Sequence, residues 1–158
     1  MIQRIQTLFL LIVTALGVLA CCLPIMGFAT ATNEPLAQLY ALGVREPNAD
    51  GQLVFTHYTY GLFAISVVVP LLALLAIFLF KHRLLQIRLL VVDAILMIGY
   101  YLLLAWAGYS AYHLNEVCKS VSYFIPSVFM LVNLVLTFMA IHRIKKDEAL
   151  VRSLDRLR

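Results

Sequence analysis

The sequence predicts an all-α membrane protein: a four-transmembrane-helix bundle with a small extracytoplasmic β-hairpin in its first outer loop. Apolar residues make up 63% of the 158-residue chain and charged residues only 13%, which is unlike a soluble domain. Four apolar runs are each near the roughly 20 residues that a helix needs to cross a bilayer. These runs use most of the chain, so residues 1–158 are expected to form a single integral membrane domain.

The distribution of the basic residues predicts that both termini face the cytoplasm. Ten of the twelve Lys and Arg residues precede the first run, separate the second from the third, or follow the fourth. They are Arg4, Lys81, Arg83, Arg88, Arg143, Lys145, Lys146, Arg152, Arg156 and Arg158. The other two connections carry only Arg45 and Lys119. Short loops rich in Lys and Arg stay cytoplasmic, so these two connections should lie outside.

The first helix is predicted at about residues 5–27, and Pro24 and Gly27 mark its outer end. A cleaved signal peptide is the alternative, because Ala29, Thr30 and Ala31 have the small-x-small form of a cleavage site. The apolar run is longer than the usual h-region of about 7–15 residues. We therefore expect an uncleaved helix.

An outer loop follows over residues 28–58, and its charged residues place it in water. Two β-prone runs, residues 38–44 and 52–57, flank an Asp50-Gly51 turn signal, which predicts a β-hairpin. The alternative is a short helix after Asn33, with a proline in its first turn. A lone hairpin is marginal in water, so it should lie on the outer ends of the helices.

The other three helices are predicted at about residues 59–80, 87–109 and 122–142, followed by a cytoplasmic tail over residues 143–158. The short basic link makes the second and third helices an antiparallel pair. All eight Tyr residues and Trp106 lie in the outer loops or the outer halves of helices. Such rings favour the membrane interface, which supports the same topology.

Two polar residues, Asp93 and Asn133, are predicted to lie inside the spans. Asp93 is interpreted as an interfacial carboxylate that is stabilised by the helix N-terminus and paired with Arg88, Arg143 or Lys146. The alternative is a proton or ion pathway, since an ionisable residue in a span is a functional hypothesis by default. Asn133 is interpreted as a hydrogen-bonding contact between helices, worth roughly 0.6–2 kcal/mol.

The remaining candidates are two cysteines and the basic tail. Cys22 and Cys118 are candidates for one extracytoplasmic disulfide, with free thiols as the alternative. The tail has leucines and a valine at helical spacing, and it is expected to contact a partner or lipid headgroups. A solvated extension of the fourth helix is the alternative. The residues expected to make that contact are Arg143, Lys145, Lys146, Arg152, Arg156 and Arg158.

Three stretches carry a family resemblance: residues 1–7, residues 85–88 and the ending, residues 145–158. They resemble an uncharacterised family of small four-span inner-membrane proteins of Bacteroidota, domain of unknown function 4293. The resemblance covers the whole chain in order and spacing. It implies a bacterial inner-membrane location with periplasm on the outer side. The family brings no assigned reaction, so no catalytic residues can be carried over.

The expected function is that of a non-enzymatic accessory or scaffold subunit of an inner-membrane assembly. The alternative is a small transporter or channel-like carrier. An enzyme is not expected, because the chain has no nucleophile–base or metal constellation, and no cofactor is expected. The expected partners are the lipid bilayer and other membrane proteins or a second copy of the chain. Nucleic acid is not among them, because the basic residues lie next to membrane ends.

Overall fold

The computed structural model describes residues 3–30, 35–48, 52–80, 82–114 and 120–155. These residues form four helices and five strands. The helices are α1 (Gln3–Cys22), α2 (Tyr60–Phe78), α3 (Arg83–Leu114) and α4 (Pro126–Asp155). The strands are β1 (Met26–Ala29), β2 (Pro35–Leu39), β3 (Gly43–Pro47), β4 (Leu53–Tyr58) and β5 (Ser120–Tyr123).

Each helix buries one narrow stripe, whose positions alternate in steps of four and three residues. The stripe is Gln6, Leu10, Val13, Gly17 and Ala20 on α1; Leu62, Ser66, Val69, Ala73 and Ala76 on α2; Gln86, Leu90, Asp93, Met97, Tyr100, Leu104 and Ala107 on α3; and Pro126, Met130, Asn133, Thr137, Ala140 and Ile144 on α4. This spacing is that of left-handed helix bundles. The outward positions are largely exposed Leu, Val, Ile and Phe, which suits a surface that faces lipid.

The helices pack in the ring order α1, α2, α3, α4, with α4 also contacting α1. At the α1–α2 contact, a Cβ added at Gly17 would lie 3.1 Å from Pro70 Cβ, so the two backbones approach closely. Gln86 Nε2 on α3 donates to the Ala76 carbonyl oxygen on α2 (2.9 Å). Tyr101 Oη donates to the Ser127 carbonyl oxygen and joins α3 to α4 (2.9 Å).

An antiparallel sheet caps one end of the bundle, with strand order β4-β3-β2-β1-β5. β1 continues from α1 and pairs with β5, from Met26 opposite Tyr123 to Ala29 opposite Ser120. The two outer connections are therefore parts of one sheet. Its buried residues belong to the same hydrophobic cluster as the helices. They are Met26, Phe28, Ala37, Leu39 and Val44.

The predicted all-α fold class is wrong, because the described outer residues form a five-stranded sheet rather than one hairpin. The predicted run 38–44 crosses a tight turn in which Tyr40 and Gly43 exchange backbone hydrogen bonds (2.8 and 3.2 Å). The central residues, Ala41 and Leu42, are not typical turn formers. A Cβ added at Gly43 would lie 2.2 Å from the His57 carbonyl oxygen, so this close approach of β3 to β4 requires glycine.

The prediction of four transmembrane helices is also overturned. Within the described ranges, three helices are long and apolar enough to cross a membrane: Tyr60–Phe78, Arg83–Ser110 and Pro126–Ala149. α1 supplies only a shorter apolar helix, Gln6–Cys22. It ends before the predicted residue 27 because Pro24 follows it and the next residues join the sheet. Three such helices indicate a membrane protein.

Candidate functional site

Four polar side chains lie inside the helix bundle, on the facing stripes of α3 and α4. Asp93, Tyr100, Asn133 and Thr137 are each 0% exposed. Five of their oxygen atoms have no hydrogen-bond partner among the described residues. These atoms are both carboxyl oxygens of Asp93, the Tyr100 hydroxyl, Asn133 Oδ1 and Thr137 Oγ1. Buried polar atoms are normally hydrogen-bonded, so this cluster is the most unusual feature of the bundle interior.

Asp93 lies at about the level of Thr137 on the neighbouring helix. α3 and α4 are antiparallel, and Tyr101 meets Ser127 near one end of their contact. Near the other end, Gln86 and Ile144 line the same cavity. Both helices rise by the same distance per residue, so counting inward from either contact brings Asp93 close to the level of Thr137.

The predicted ion pair of Asp93 with Arg88, Arg143 or Lys146 is not formed. All three basic side chains are exposed, whereas both Asp93 carboxyl oxygens are buried without a described partner. The reason is the direction in which the two side chains point around the axis of α3. Arg88 precedes Asp93 by five residues, which places it on a different face of α3.

Asn133 links α4 to α1. Its Nδ2 donates to the Val13 carbonyl oxygen at 3.2 Å. The same amide group leaves Oδ1 buried and without a partner in the described part of the chain. Asn133 therefore contributes both a contact between helices and one of the unpaired oxygens of the interior.

The basic end of the bundle lies opposite the sheet, and we call it the link end because it includes the α2–α3 link. There Gln6 on α1 donates to the Asp147 carboxylate on α4. A cavity of about 500 Å³ lies beside this bond, and its lining includes Arg83 and Gln86. The N-terminal part of α1, the start of α3 and the late part of α4 therefore meet at the link end.

α4 continues without a break to Asp155, so most of the predicted tail is an extension of this helix. Arg143, Lys145 and Lys146 are exposed on it. The side chain of Arg152 lies outside the described part, as do residues Arg156 and Arg158. Their expected contacts with a partner or with lipid headgroups stay a prediction.

Cys21 is half-buried and Cys22 is exposed, and the two are not bonded to each other. The Cys21 sulfur lies 3.4 Å from Ser66 Oγ on α2. Cys118 lies outside the described residues, so the Cys22–Cys118 disulfide stays a prediction. Across the described ranges, no three His, Cys, Asp or Glu side chains come together as a metal site.

The sheet end carries a second surface, at the edge strand β4. Leu53, Val54 and Tyr58 are 45%, 50% and 53% exposed. Beside the strand, the rings of Phe55 and Tyr58 stack at 5.7 Å, and those of Tyr58 and Tyr60 stack at 5.5 Å. We call these three stacked residues the aromatic ladder. Its two tyrosines were predicted to be interfacial residues, but their stacking was not predicted.

The aromatic ladder is extended by a cation. The Arg45 guanidinium lies over the rings of Tyr40 (4.4 Å) and Phe55 (4.2 Å). A cavity of about 600 Å³ lies between β4 and the outer ends of α2 and α3. Its lining includes Tyr58, Tyr60 and Trp106, and Trp106 is 69% exposed. The sheet end therefore combines an open strand with an aromatic cavity.

The outer backbone edge of β4 can be assigned from its hairpin with β3. Asn48 N donates to the Gln52 carbonyl oxygen (2.8 Å) at the start of the hairpin. Bonded and non-bonded pairs alternate along an antiparallel ladder. Pro47 opposite Leu53 is therefore a non-bonded pair, as is Arg45 opposite Phe55. The N–H groups of Leu53 and Phe55 thus point away from β3, and no described strand pairs with that side.

Comparison with known families gives one match. The family described as a domain of unknown function, DUF4293, matches residues 2–157. No functionally curated protein matches the sequence significantly. The family match covers nearly the whole chain, including both terminal stretches and the α2–α3 link. It confirms the resemblance to domain of unknown function 4293: the chain belongs to the DUF4293 family, a family of unknown function.

Proposed function

We propose that the protein is a non-enzymatic accessory or scaffold subunit of a membrane assembly, which binds a protein partner by adding a strand to β4. The observation that carries the proposal is the open edge of this strand. Its outward N–H groups, at Leu53 and Phe55, have no strand opposite them in the described sheet. Extended segments bind such edges through main-chain hydrogen bonds.

The composition of β4 supports this role. Natural edge strands are commonly protected by Lys, Pro or inward-pointing charges. β4 reads Leu-Val-Phe-Thr-His-Tyr and has none of these three protections, although a bulge at Thr56, another feature of natural edge strands, interrupts its pairing with β3. An edge that is both exposed and apolar is a template for pairing with another chain.

The surroundings of β4 supply specificity. Main-chain pairing alone does not distinguish one partner from another, so side-chain pockets must do so. The aromatic ladder and the cavity beside it offer such pockets at Tyr58, Tyr60 and Trp106. Aromatic residues and arginine are the types most enriched at interface hot spots, and Arg45 lies on the same surface.

The proposed location is the bacterial inner membrane, with the sheet in the periplasm and both termini at the cytoplasmic link end. Exposed Arg88, Arg143, Lys145 and Lys146 lie towards the link end, and the sheet contributes Arg45. Positive residues stay cytoplasmic during insertion. The same cations favour anionic headgroups of the inner leaflet.

A photocrosslinking experiment tests the strand addition. A photoreactive phenylalanine analogue at Val54, which is half-exposed on β4, is expected to capture a discrete protein partner in cells. Leu53→Pro removes one outward N–H at the first residue of the strand, where proline is tolerated, and leaves the β3 ladder intact. This variant should lose most of the crosslinked product, whereas Leu53→Ala should keep it. A product of twice the 17.8 kDa chain mass would identify the partner as a second copy.

Two controls complete the test. The same analogue at Val92, which is exposed on α3 and far from the sheet, should not give this product. Thermal unfolding of the Leu53 variants in detergent checks that both are folded. If Leu53→Pro is folded and yields the same product in the same amount as wild type, the partner does not pair with β4 and the proposal fails.

A small transporter of protons or cations is the second candidate. The observation that favours it is the set of unpaired oxygens inside the bundle, around Asp93 and Thr137. Charged residues within spans often mark ion pathways. Ion flux distinguishes the two functions. Purified protein in sealed vesicles should carry protons or cations across the membrane if it is a transporter, and it should not if it is only a scaffold.

A further inference from the structure

Asp93 is electrostatically isolated in the bundle. Counting along the helices from the contacts described above places these buried side chains near its level: Leu10 and Val13 on α1, Ala73 on α2, and Thr137 and Ala140 on α4. None of them is titratable. The nearest titratable group on its own stripe is Tyr100, two turns along α3. Among the buried side chains of the described ranges, none is Lys, Arg or His.

A charged carboxylate in such surroundings is strongly disfavoured. Moving an ion from water into an apolar interior costs far more than one hydrogen bond returns, and an isolated buried group becomes neutral instead. One unit of positive charge, from a proton or a monovalent cation, is enough to neutralise the Asp93 carboxylate. Asp93 is the only acidic residue buried among the described side chains, so a divalent cation there would only replace one net charge with another.

The geometry favours a proton over a metal ion. A hard cation needs several oxygen ligands arranged around it. Neither carboxyl oxygen of Asp93 has a hydrogen-bond partner among the described residues, and in the described ranges Asp93 belongs to no group of three His, Cys, Asp or Glu side chains. A proton needs no coordination shell.

We infer that Asp93 is a proton-binding site inside the helix bundle, which holds a neutral carboxylic acid at neutral pH. The ligand is a single proton, held on α3 inside the bundle and away from the link end. This inference goes beyond the scaffold role and does not depend on β4. Its test reads the protonation state directly, so its failure would leave the photocrosslinking result untouched.

Infrared spectroscopy of the full-length protein in lipid vesicles provides the test. Protonated and ionised carboxyl groups absorb in separate regions, and ¹³C at the side-chain carboxyl of aspartate shifts only aspartate bands. The chain has four aspartates, Asp50, Asp93, Asp147 and Asp155. At pH 7 we expect a protonated-carboxyl band that shifts on labelling and corresponds to one aspartate per chain. Asp93→Asn should remove the band, and Asp147→Asn, the matched control, should keep it.

Three results would overturn the inference. All labelled aspartate could absorb as carboxylate in the wild-type protein. The protonated band could persist at full intensity in folded Asp93→Asn. The band could be present in choline buffer and absent in sodium buffer, which would assign the site to an alkali cation. The first and third results are measured on labelled wild-type protein and need no variant. They therefore test the inference even if Asp93→Asn fails to fold.

Discussion

Gly17 sets the distance between α1 and α2, and its replacement should weaken their contact. A Cβ at this position would already lie 3.1 Å from Pro70 Cβ, so the larger side chain of Gly17→Leu must push the helices apart. Overpacking of this kind costs about 1–3 kcal/mol. Thermal unfolding in detergent should show a lower Tm for Gly17→Leu. Gly99→Leu is the matched control, because a Cβ added at Gly99 meets none of the described atoms within 4 Å. An equal change in Tm in both variants would contradict the close packing at Gly17.

The interior site was only partly predictable from single residues. Asp93 and Asn133 stand out in apolar runs, but the partners of Asp93 could not be chosen by distance along the chain. A lipid-facing helix surface is as apolar as its buried stripe, so hydropathy does not reveal the phase of the helix. Gln86, Asp93 and Tyr100 are spaced seven residues apart, and this spacing was the available signal. It would have separated Asp93 from Arg88 and added Tyr100 to the site.

At the scale of elements, the Tyr101 hydroxyl joins the outer half of α3 to the start of α4. It donates to the Ser127 carbonyl oxygen at 2.9 Å. Tyr101→Phe deletes this bond and keeps the ring, so unfolding in detergent should show a loss of about 0.5–1.5 kcal/mol. Tyr109→Phe removes a hydroxyl from a ring that is 64% exposed on the same helix and should change little. If the two variants lose the same stability, the Tyr101 bond does not hold these helices together.

The strands show which elements local sequence can predict. The predicted run 52–57 nearly coincides with β4 (Leu53–Tyr58), whereas the predicted run 38–44 covers the end of β2, a turn and only the start of β3. β1 and β5 have four residues each, Met-Gly-Phe-Ala and Ser-Val-Ser-Tyr, and neither carries a strong strand pattern. β5 is a strand because β1, far away in the chain, pairs with it, and β1 lies between β2 and β5 in the sheet. Contacts of this kind cannot be read from a window of neighbouring residues.

At the scale of the whole molecule, the charge distribution predicts how the bundle is oriented. In a background without cysteines, Thr56→Cys places a thiol on the sheet and Lys145→Cys places one near the link end. A maleimide that cannot cross the inner membrane should label Thr56→Cys in cells with a permeabilised outer membrane. It should label Lys145→Cys only after lysis, because the Lys and Arg residues stay cytoplasmic. Labelling of Lys145→Cys before lysis would reverse the proposed orientation.

The pairing of β1 with β5 has a consequence for biosynthesis. β1 leaves the ribosome early, but its second neighbour, Ser120–Tyr123, is made only after α2 and the whole of α3. Until then β1 has β2 on one side and an unsatisfied backbone on the other. Long-range pairings of this kind form late and leave strands open to wrong partners in the meantime. A nascent chain that stalls inside α3 therefore exposes a second unpaired strand edge. In the proposed orientation this edge lies in the periplasm, where quality-control proteases could distinguish the stalled chain from a completed one.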